Sequence, residues 1–347
     1  MSKLTISEIA QLAGVSIGTV SRALNGRYGV SLETQTAILK IVHDTGFIPN
    51  HGAVNLARGS RQLIGIAPFS DHTPRSPYYA YLLDAIQESL YQRGFVARVL
   101  DSDLEVNRRN CVGFIVPGVH LDEPRVNALR RAGIPVVIVG QVDGDFAWVE
   151  VDNSGGFTAI IKHLLKLGHT RIAHVTGTLA AQTAVERFNA YRATLTEAGL
   201  EFDASLVLDG GFTDLEAYRA VREFLETHSS EQHSSEQRGL EGRRLQSDTD
   251  LPFTALAAAS DEMAMGAIKA LQDLGYRVPH DVSVTGFDDL PFATYVNPPL
   301  TTVHQPIRSV GRVAAEMLIE QLEGKPARQV ILPVELVIRN STTTRLT

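Results

Sequence analysis

The sequence predicts a small all-α head followed by a larger α/β body. Three short helical patterns fall within the first 46 residues, whereas strand and helix patterns alternate from residue 62 onward. Such alternation is typical of parallel sheets covered by helices on both faces. A chain of 347 residues has room for about two or three domains. We therefore expect a body built from two doubly wound parallel sheets.

The head pattern is a helix, a tight turn and a second helix. Thr5 and Ser16 are suited to cap the two helices, because their side-chain oxygens can accept from unpaired backbone N–H groups. Gly14 gives the turn its backbone freedom, and Val20 and Leu24 form the buried side of the second helix. A plain helical hairpin would produce the same pattern.

The opposite face of the second helix is small and uncharged to basic. Such a face suits entry into the DNA major groove without steric or electrostatic conflict. Its members are Ile17, Gly18, Thr19, Ser21 and Arg22. A third helix is predicted to run from the Ser31 cap to Gly46, and residues 47–61 form a linker whose single short helix is unstable alone.

Charge is distributed unevenly along the chain. The net charge is −7, yet residues 1–60 carry five Lys and Arg against three Asp and Glu, so the head is at +2 and the rest at −9. DNA contact is therefore expected at the head alone, with two heads acting together. The sequence has no membrane-length apolar run and no signal-peptide pattern, which predicts a cytoplasmic protein. The single cysteine, Cys111, is interpreted as a small buried hydrophobe beside a strand.

Two stretches of the body need separate mention. The pentapeptide His-Ser-Ser-Glu-Gln at 228–232 is repeated at once, and polar residues continue to 250, so 228–250 is predicted to be a disordered surface loop after a helix at Asp214–Thr227. Val330–Val337 is predicted as one strand. No Gly-rich phosphate loop, metal-ligand spacing or serine elbow occurs, so an enzyme, a metal site and a cofactor are not expected.

Short motifs spread along nearly the whole chain carry a family resemblance. They include Gly14-Val15-Ser16, Thr19-Val20-Ser21-Arg22, Pro49-Asn50, Val151-Asp152-Asn153, Gly168-His169, a Ser-Asp-Glu-Met-Ala run from Ser260, Gly286–Asp289, Pro298–Gln305 and Leu332–Thr342. In this order they resemble the LacI family of bacterial transcription regulators.

The resemblance implies a helix-turn-helix head, a hinge helix and a body like the periplasmic sugar-binding proteins. The domains would be the head at 1–46, the hinge at 47–61 and the body at 62–347. Within the body, the N-subdomain would comprise about 62–155 and 290–318, and the C-subdomain about 156–289 and 319–340.

The resemblance also implies which residues touch DNA. Ile17, Gly18 and Arg22 match base-reading positions, and Arg22 can donate two hydrogen bonds to a guanine. Positions matching phosphate contacts are Thr5, Ser16, Thr19, Ser21 and Asn25, and hinge positions are Asn50, Ala53 and Leu56. Leu56 matches a residue that the family wedges into the minor groove; an ordinary packing residue of the hinge helix is the alternative.

For the effector, the resemblance points to both sides of a cleft. Arg187 and Asp288 match residues that would hold vicinal hydroxyl groups, and Tyr78, Tyr79 and Phe212 match positions of stacking rings. Ser260 occupies a position that is often asparagine.

The expected function is therefore a repressor that binds a palindromic operator as a homodimer. A small molecule, most often a sugar in this family, would control it, and a corepressor protein is a possible further partner. A nucleoside or purine effector is the alternative, and a transport-type binding protein is a third interpretation.

Overall fold

A computed structural model describes most of the chain. It covers residues 6–24, 29–45, 62–67, 76–100, 111–119, 124–131, 133–233 and 251–345. The chain forms two compact units, Met1–Gln62 with Ile319–Pro326 and Leu63–Leu318 with Ala327–Thr347.

The head contains three helices, α1 (Ile6–Leu12), α2 (Ile17–Leu24) and α3 (Leu32–Thr45). Ile9, Val20 and Ile38 are fully buried, and together with Ala10 and Ala23 they form the core. The predicted contribution of Leu24 lies outside the described side chains. Each helix thus supplies one or two buried side chains to a small core, and partly buried side chains such as Ile41 and Val42 pack against it.

Capping residues set the turn between α1 and α2. Gly14 has φ +63°, a conformation that side chains disfavour, and the backbone N–H of Val15 donates to the carbonyl of Ala10 at 3.0 Å. The Ser16 hydroxyl accepts from the N–H of Thr19 at 3.1 Å. The helix-turn-helix predicted from the sequence is confirmed.

The first sheet of the body has six strands. They are β1 (Gln62–Ile66), β2 (Phe95–Val99), β3 (Cys111–Pro117), β4 (Val136–Val139), β5 (Ala147–Val151) and β11 (Gln329–Leu332), in the spatial order β2-β1-β3-β4-β5-β11. The pairs from β1 to β11 are parallel. Associated helices are α4 (Pro77–Gln92), α5 (Pro124–Arg131) and α10 (Ile307–Leu322). Cys111 is buried at the start of β3, as expected.

The second sheet has four parallel strands. They are β6 (Ile172–Thr176), β7 (Val207–Asp209), β8 (Ala255–Ala258) and β9 (Ser283–Thr285), in the order β7-β6-β8-β9. Its helices are α6 (Asn153–Lys166), α7 (Gln182–Glu197), α8 (Asp214–His233) and α9 (Asp261–Asp273). Two further strands, β10 (Thr302–His304) and β12 (Glu335–Val337), pair antiparallel where the chain passes between the sheets. The predicted two-sheet α/β body is confirmed.

The strand pairing and hydrogen bonds depart from the predicted subdomain boundaries near the C-terminus at two points, while α10 lies with the first sheet as the prediction for 290–318 requires. Residues 319–340 were assigned to the C-subdomain, but β11 pairs with β5 in the first sheet. Residues 290–318 were assigned to the N-subdomain, but the N–H of Leu290 donates to Asp261 of α9 at 2.8 Å, which keeps the start of this segment with the second sheet.

Three local predictions also need correction. Val330–Val337 is two strands in different sheets, because Pro333 lacks an N–H and interrupts the strand. Helix α8 continues to His233, so the start of the predicted polar loop is helical, while 234–250 lies outside the described residues. The three-residue strand β7 was not predicted.

In the described part of the chain, no helix combines the length and the apolar character needed to cross a membrane.

Replacing Gly266 by alanine is expected to destabilise the body. A methyl group there would lie 2.0 Å from the carbonyl oxygen of Asp214, so α9 would have to move away from α8. Overpacking of this kind costs about 1–3 kcal/mol. Urea unfolding monitored by circular dichroism measures the loss. Lys269→Ala on the exposed side of α9 is the control and should change stability by less than about 0.5 kcal/mol; equal losses in both variants would contradict the close packing.

Candidate functional site

A cleft opens at the carboxyl ends of the strands of both sheets. Its volume is about 1010 Å³, open mouth included. In parallel sheets this edge is the usual place for a ligand, since the connecting loops converge there. The lining residues of the first subdomain include Ser76, Tyr78, Tyr79, Leu82, Val119, Val139 and Glu150, and those of the second include Thr178, Thr183, Arg187, Phe212, Ser260, Glu262 and Asp288, with Gln305 on the connecting segment.

The structure brings all six predicted effector residues into this one cleft. Tyr78 and Tyr79 lie in the first turn of α4, and Arg187 lies on α7. Phe212, Ser260 and Asp288 follow β7, β8 and β9, each just past the end of its strand.

Arg187 is buried and its guanidinium is held by protein groups. Its Nε and Nη2 donate to the side-chain oxygen of Asn153 at 3.0 and 2.8 Å, and its Nη1 donates to the carbonyl of Ala259 at 2.5 Å. The ring of Phe287 lies 3.7 Å from the guanidinium carbon. A guanidinium has five N–H donors, so donors remain for a ligand.

Asn153 is itself fixed by a second carboxylate. Its amide nitrogen donates to Glu186 at 2.9 Å, and Gln182 donates to the other oxygen of Glu186 at 3.0 Å. Asn153 begins α6, immediately after β5. In the sequence, Asn153 was recognised only as part of the Val151-Asp152-Asn153 motif. In the structure, its side chain positions Arg187.

Asp288 lies in a strained loop between β9 and β10. Asp288 has φ +132° and Asp289 φ +59°, both in the region that non-glycine residues rarely adopt. Asp288 is buried and accepts from Gln305. Burial, followed by the charge of Asp261, raises the pKa of Asp288 well above its usual range, while Arg187 opposes that rise.

Asp261 holds this strained loop in place. Its two oxygens accept from the hydroxyl of Thr302 at 2.5 Å and from the N–H of Leu290 at 2.8 Å. Burial raises the pKa of Asp261 to about 6 despite these hydrogen bonds. Asp289 is fixed by Arg339 at 2.5 Å and His304 at 3.0 Å. The loop conformation is therefore determined by surrounding contacts.

Aromatic rings enter the cleft from both subdomains. Phe212 has φ +59°, and its ring packs over Gly177, where a methyl group would lie 2.1 Å from the ring. Burial and the nearby charges of Glu150 and Asp288 raise the pKa of Tyr78, which therefore stays protonated and able to donate.

Ser260 has a structural task besides lining the cleft. Its hydroxyl accepts from the N–H of Met263 at 3.2 Å and so caps α9. The carboxylate of Glu262, two residues further along the chain, accepts from the Ser76 hydroxyl of the other subdomain. This hydrogen bond crosses the cleft.

Glu150 is the cleft residue that sequence analysis most clearly missed. It is 5% exposed at the end of β5, and one of its oxygens accepts from the N–H of Val151 at 2.8 Å. Burial is the largest cause that raises its pKa to about 7, although Arg187 lowers it. Ser76, Glu262 and Gln305 were also missed. The one sequence feature that could have pointed to them as cleft residues is their position just after a strand or at the start of a helix.

In the head, the predicted base-reading residues share one exposed face of α2. Ile17 is 49% exposed, and Gly18 and Arg22 are also exposed, opposite the buried Val20 and Ala23. Arg22 donates to the Thr19 hydroxyl at 3.4 Å, and Thr19 contacts Ser16 at 2.9 Å. Thr5, Asn25, Asn50, Ala53 and Leu56 lie outside the described residues.

These features define a class of protein. A helix-turn-helix unit with an exposed second helix is joined in one chain to a two-sheet body with a ligand-sized cleft. That combination is a DNA-binding regulator with a periplasmic-binding-protein-like body.

Comparison with known proteins identifies the family. Residues 5–50 match the model of bacterial regulatory proteins of the lacI family. Residues 161–342 match a periplasmic binding protein-like domain, and 71–232 match the periplasmic binding proteins and sugar binding domain of the LacI family. The chain belongs to the LacI family; it is a transcriptional regulator of the repressor type and not an enzyme.

Relatives match along almost the whole chain. The HTH-type transcriptional regulator CelR of Thermobifida fusca is 32% identical, covering 97% of this chain and 98% of its own. The repressor PurR of Aliivibrio fischeri (strain MJ11) is 30% identical, covering 99% of both. A CelR–cellobiose complex has a TM-score of 0.69 at 29% identity, covering 98% of this chain and 100% of that one. The lac repressor dimer bound to operator and the anti-inducer ONPF has a TM-score of 0.67 at 26% identity, covering 99% and 100%.

Glu150→Gln is expected to remove a pH-dependent loss of stability. The folded-state pKa of about 7 lies above the ordinary 4.5, so the folded protein retains this proton while the unfolded chain releases it. Stability therefore falls as the pH rises from about 4.5 to 7, by about 3 kcal/mol in total. Urea unfolding at pH 5 and pH 8 (about one unit beyond the shifted pKa) measures the difference between wild type and variant. Glu201→Gln, at an exposed position, should follow the wild type at both pH values.

Proposed function

We propose that this regulator binds a palindromic operator as a homodimer and responds to a sugar or sugar derivative in the cleft. The observation that carries the effector assignment is the convergence of Arg187, Asp288, Tyr78, Tyr79 and Phe212 on one cleft. An arginine and carboxyl groups can hold vicinal hydroxyls, and rings can stack on a sugar face. The cellobiose complex of CelR supports a carbohydrate.

A purine or nucleoside is the second candidate effector. The same aromatic side chains could stack on a base, and the PurR relative supports this alternative. Both candidates bind through the same cleft, so they differ in ligand and not in mechanism.

For DNA binding, we propose that the exposed face of α2 enters the major groove. Arg22 would donate to guanine, Ile17 would contact a thymine methyl, and the hydroxyls of Ser16 and Thr19 would contact phosphates. The remaining predicted positions, Thr5, Ser21, Asn25, Asn50, Ala53 and Leu56, complete the proposal, with Leu56 as the minor-groove wedge.

We propose a homodimer because one small, weakly basic head offers few specific contacts. Exposed apolar side chains on the body support a second copy: Tyr295 is 86% exposed, and Val96 and Val99 on the edge strand β2 are 40% and 42% exposed. The lac repressor dimer on its operator is a precedent in a related structure.

The effector would act by changing how the two subdomains close on each other. Ser76 and Glu262 meet across the cleft, and the chain crosses between the sheets at β10 and β12. A ligand that binds one degree of closure more tightly shifts that equilibrium. We propose that closure changes the spacing of the paired hinge segments at 47–61, and so the operator affinity.

A selection experiment followed by titration tests this proposal. Full-length protein is used to select DNA from a random library, with a palindrome of two half-sites as the expected result. Thermal shift then screens cellobiose, other sugars, nucleosides and purine bases, and hits are tested for an effect on operator binding by fluorescence anisotropy. Selected sites without symmetry would refute the dimeric mode. The absence of any sugar, nucleoside or purine that changes operator binding would refute the effector assignment.

Arg22→Ala is expected to weaken binding to the selected operator by about tenfold or more, because a bidentate guanine contact contributes about 1–3 kcal/mol. Binding to unrelated DNA should fall far less. Fluorescence anisotropy with both DNAs measures the two affinities. Lys40→Ala, an exposed cation on α3, serves as the control; if it matched Arg22→Ala in operator-specific loss, the base-reading role would be wrong.

Asp288→Asn is expected to weaken effector binding by about tenfold, since one of the two buried carboxyl oxygens is replaced by an amide nitrogen that can only donate. Operator affinity without effector should stay close to that of the wild type. Calorimetry with the ligand from the screen and anisotropy with the operator measure the two effects. Asp143→Asn, on an exposed turn, is the control. An unchanged effector affinity would remove Asp288 from the site.

A further inference from the structure

The described lining of the cleft holds more acidic than basic side chains. Glu150, Glu262 and Asp288 are acidic, and Arg187 is the basic residue among the described lining residues. The Arg187 guanidinium already donates to two neutral oxygens of the protein, those of Asn153 and Ala259. When Glu150 and Glu262 are both ionised, these two acids outweigh the single positive charge of Arg187, and the described lining residues carry a net negative charge.

These charges lie close enough to influence one another. The pKa of Tyr78 is raised by Glu150 and Asp288 and lowered by Arg187, so all three charges act on one phenol in the cleft. The pKa of Asp288 is raised in part by Glu262, which reaches the same region from the first turn of α9. Glu150, Glu262 and Asp288 therefore form one electrostatically coupled group in the cleft.

Above about pH 7, where Glu150 is ionised, an anionic ligand group would be unfavourable here. Charges in a site shielded from water interact far more strongly than in bulk solvent, and burial is already the largest cause of the raised pKa values of Glu150 and Glu262. A hydroxyl group has no such conflict. It donates to an ionised carboxylate and accepts from a protonated one, so it suits these acids in either state.

We propose that the cleft selects an uncharged, hydroxyl-rich effector and rejects phosphorylated or carboxylated ones, with Glu150 and Glu262 as the anion-rejecting residues. The proposal rests on the proposed function, that the cleft binds the effector. It assigns to these two glutamates a specificity role beyond that of Arg187 and Asp288.

The first test uses wild-type full-length protein and matched ligands. Calorimetry at about pH 8, where Glu150 is ionised, compares cellobiose and glucose with glucose 6-phosphate and gluconate. The expected result is heat of binding from neutral members only. Binding of either anion at an affinity equal to or tighter than its neutral counterpart would overturn the proposal.

The second test does not require the effector to be known. The probe is sulfate, titrated calorimetrically at pH 8 (about one unit above the Glu150 pKa) into wild type, Glu150→Gln/Glu262→Gln and the control Glu201→Gln/Glu223→Gln, whose two glutamates are exposed. We expect the cleft variant to bind sulfate about tenfold or more tightly than the other two proteins. Thermal unfolding checks its fold, and Glu150→Gln alone replaces it where the double variant is unstable.

Equal sulfate binding in all three proteins, including none, would overturn the anion-rejecting role. This result is separate from failure of the proposed function, which would show as operator binding that no sugar, nucleoside or purine changes.

Discussion

The body depends on the burial of one guanidinium. Arg187 is 5% exposed, and a buried cation is tolerated only when its donors are paired. Its partners come from three places: Asn153 at the start of α6, Ala259 after β8 and Phe287 after β9. Satisfying this one side chain therefore fixes the loops that form the second-subdomain wall of the cleft.

The acidic groups of the cleft follow from the same constraint. Glu150 and Asp288 are buried near that cation, which offsets part of their desolvation, yet burial still dominates and raises both pKa values. Part of the desolvation free energy of these two carboxyl groups is thus uncompensated in the ligand-free protein. A ligand that hydrogen-bonds to these groups would relieve part of it, and binding would then favour the subdomain arrangement that brings Glu150 and Asp288 to the same ligand.

Local features were predictable from the sequence and long-range ones were not. Caps such as Ser16 and apolar spacing such as Ile9 and Val20 are encoded within a few residues, so the head was predicted correctly. The pairing of β11 with β5 depends on tertiary packing between segments far apart in the chain, and the three-residue strand β7 is too short to show an alternating pattern. In the sequence, a glutamate within an apolar strand is indistinguishable from an exposed polar residue. The Arg187 cation that acts on the buried Glu150 lies on α7, far along the chain, so its influence was not visible. The DNA-contacting and effector roles stay predictions.

Strain at the loop between β9 and β10 connects the cleft with the crossing between the sheets. Asp288 and Asp289 both have positive φ; Asp288 lines the cleft, while Asp289 pairs with His304 of β10 and with Arg339, which follows β12. Unfavourable backbone conformations persist only when surrounding contacts determine them, and they cluster at sites that bind or switch. A ligand contact that displaced Asp288 would act on the peptide bond that joins it to Asp289, and through it on the contacts of Asp289 with Arg339 and His304. That short mechanical link is the physical reason to expect effector binding and subdomain closure to be coupled in this chain.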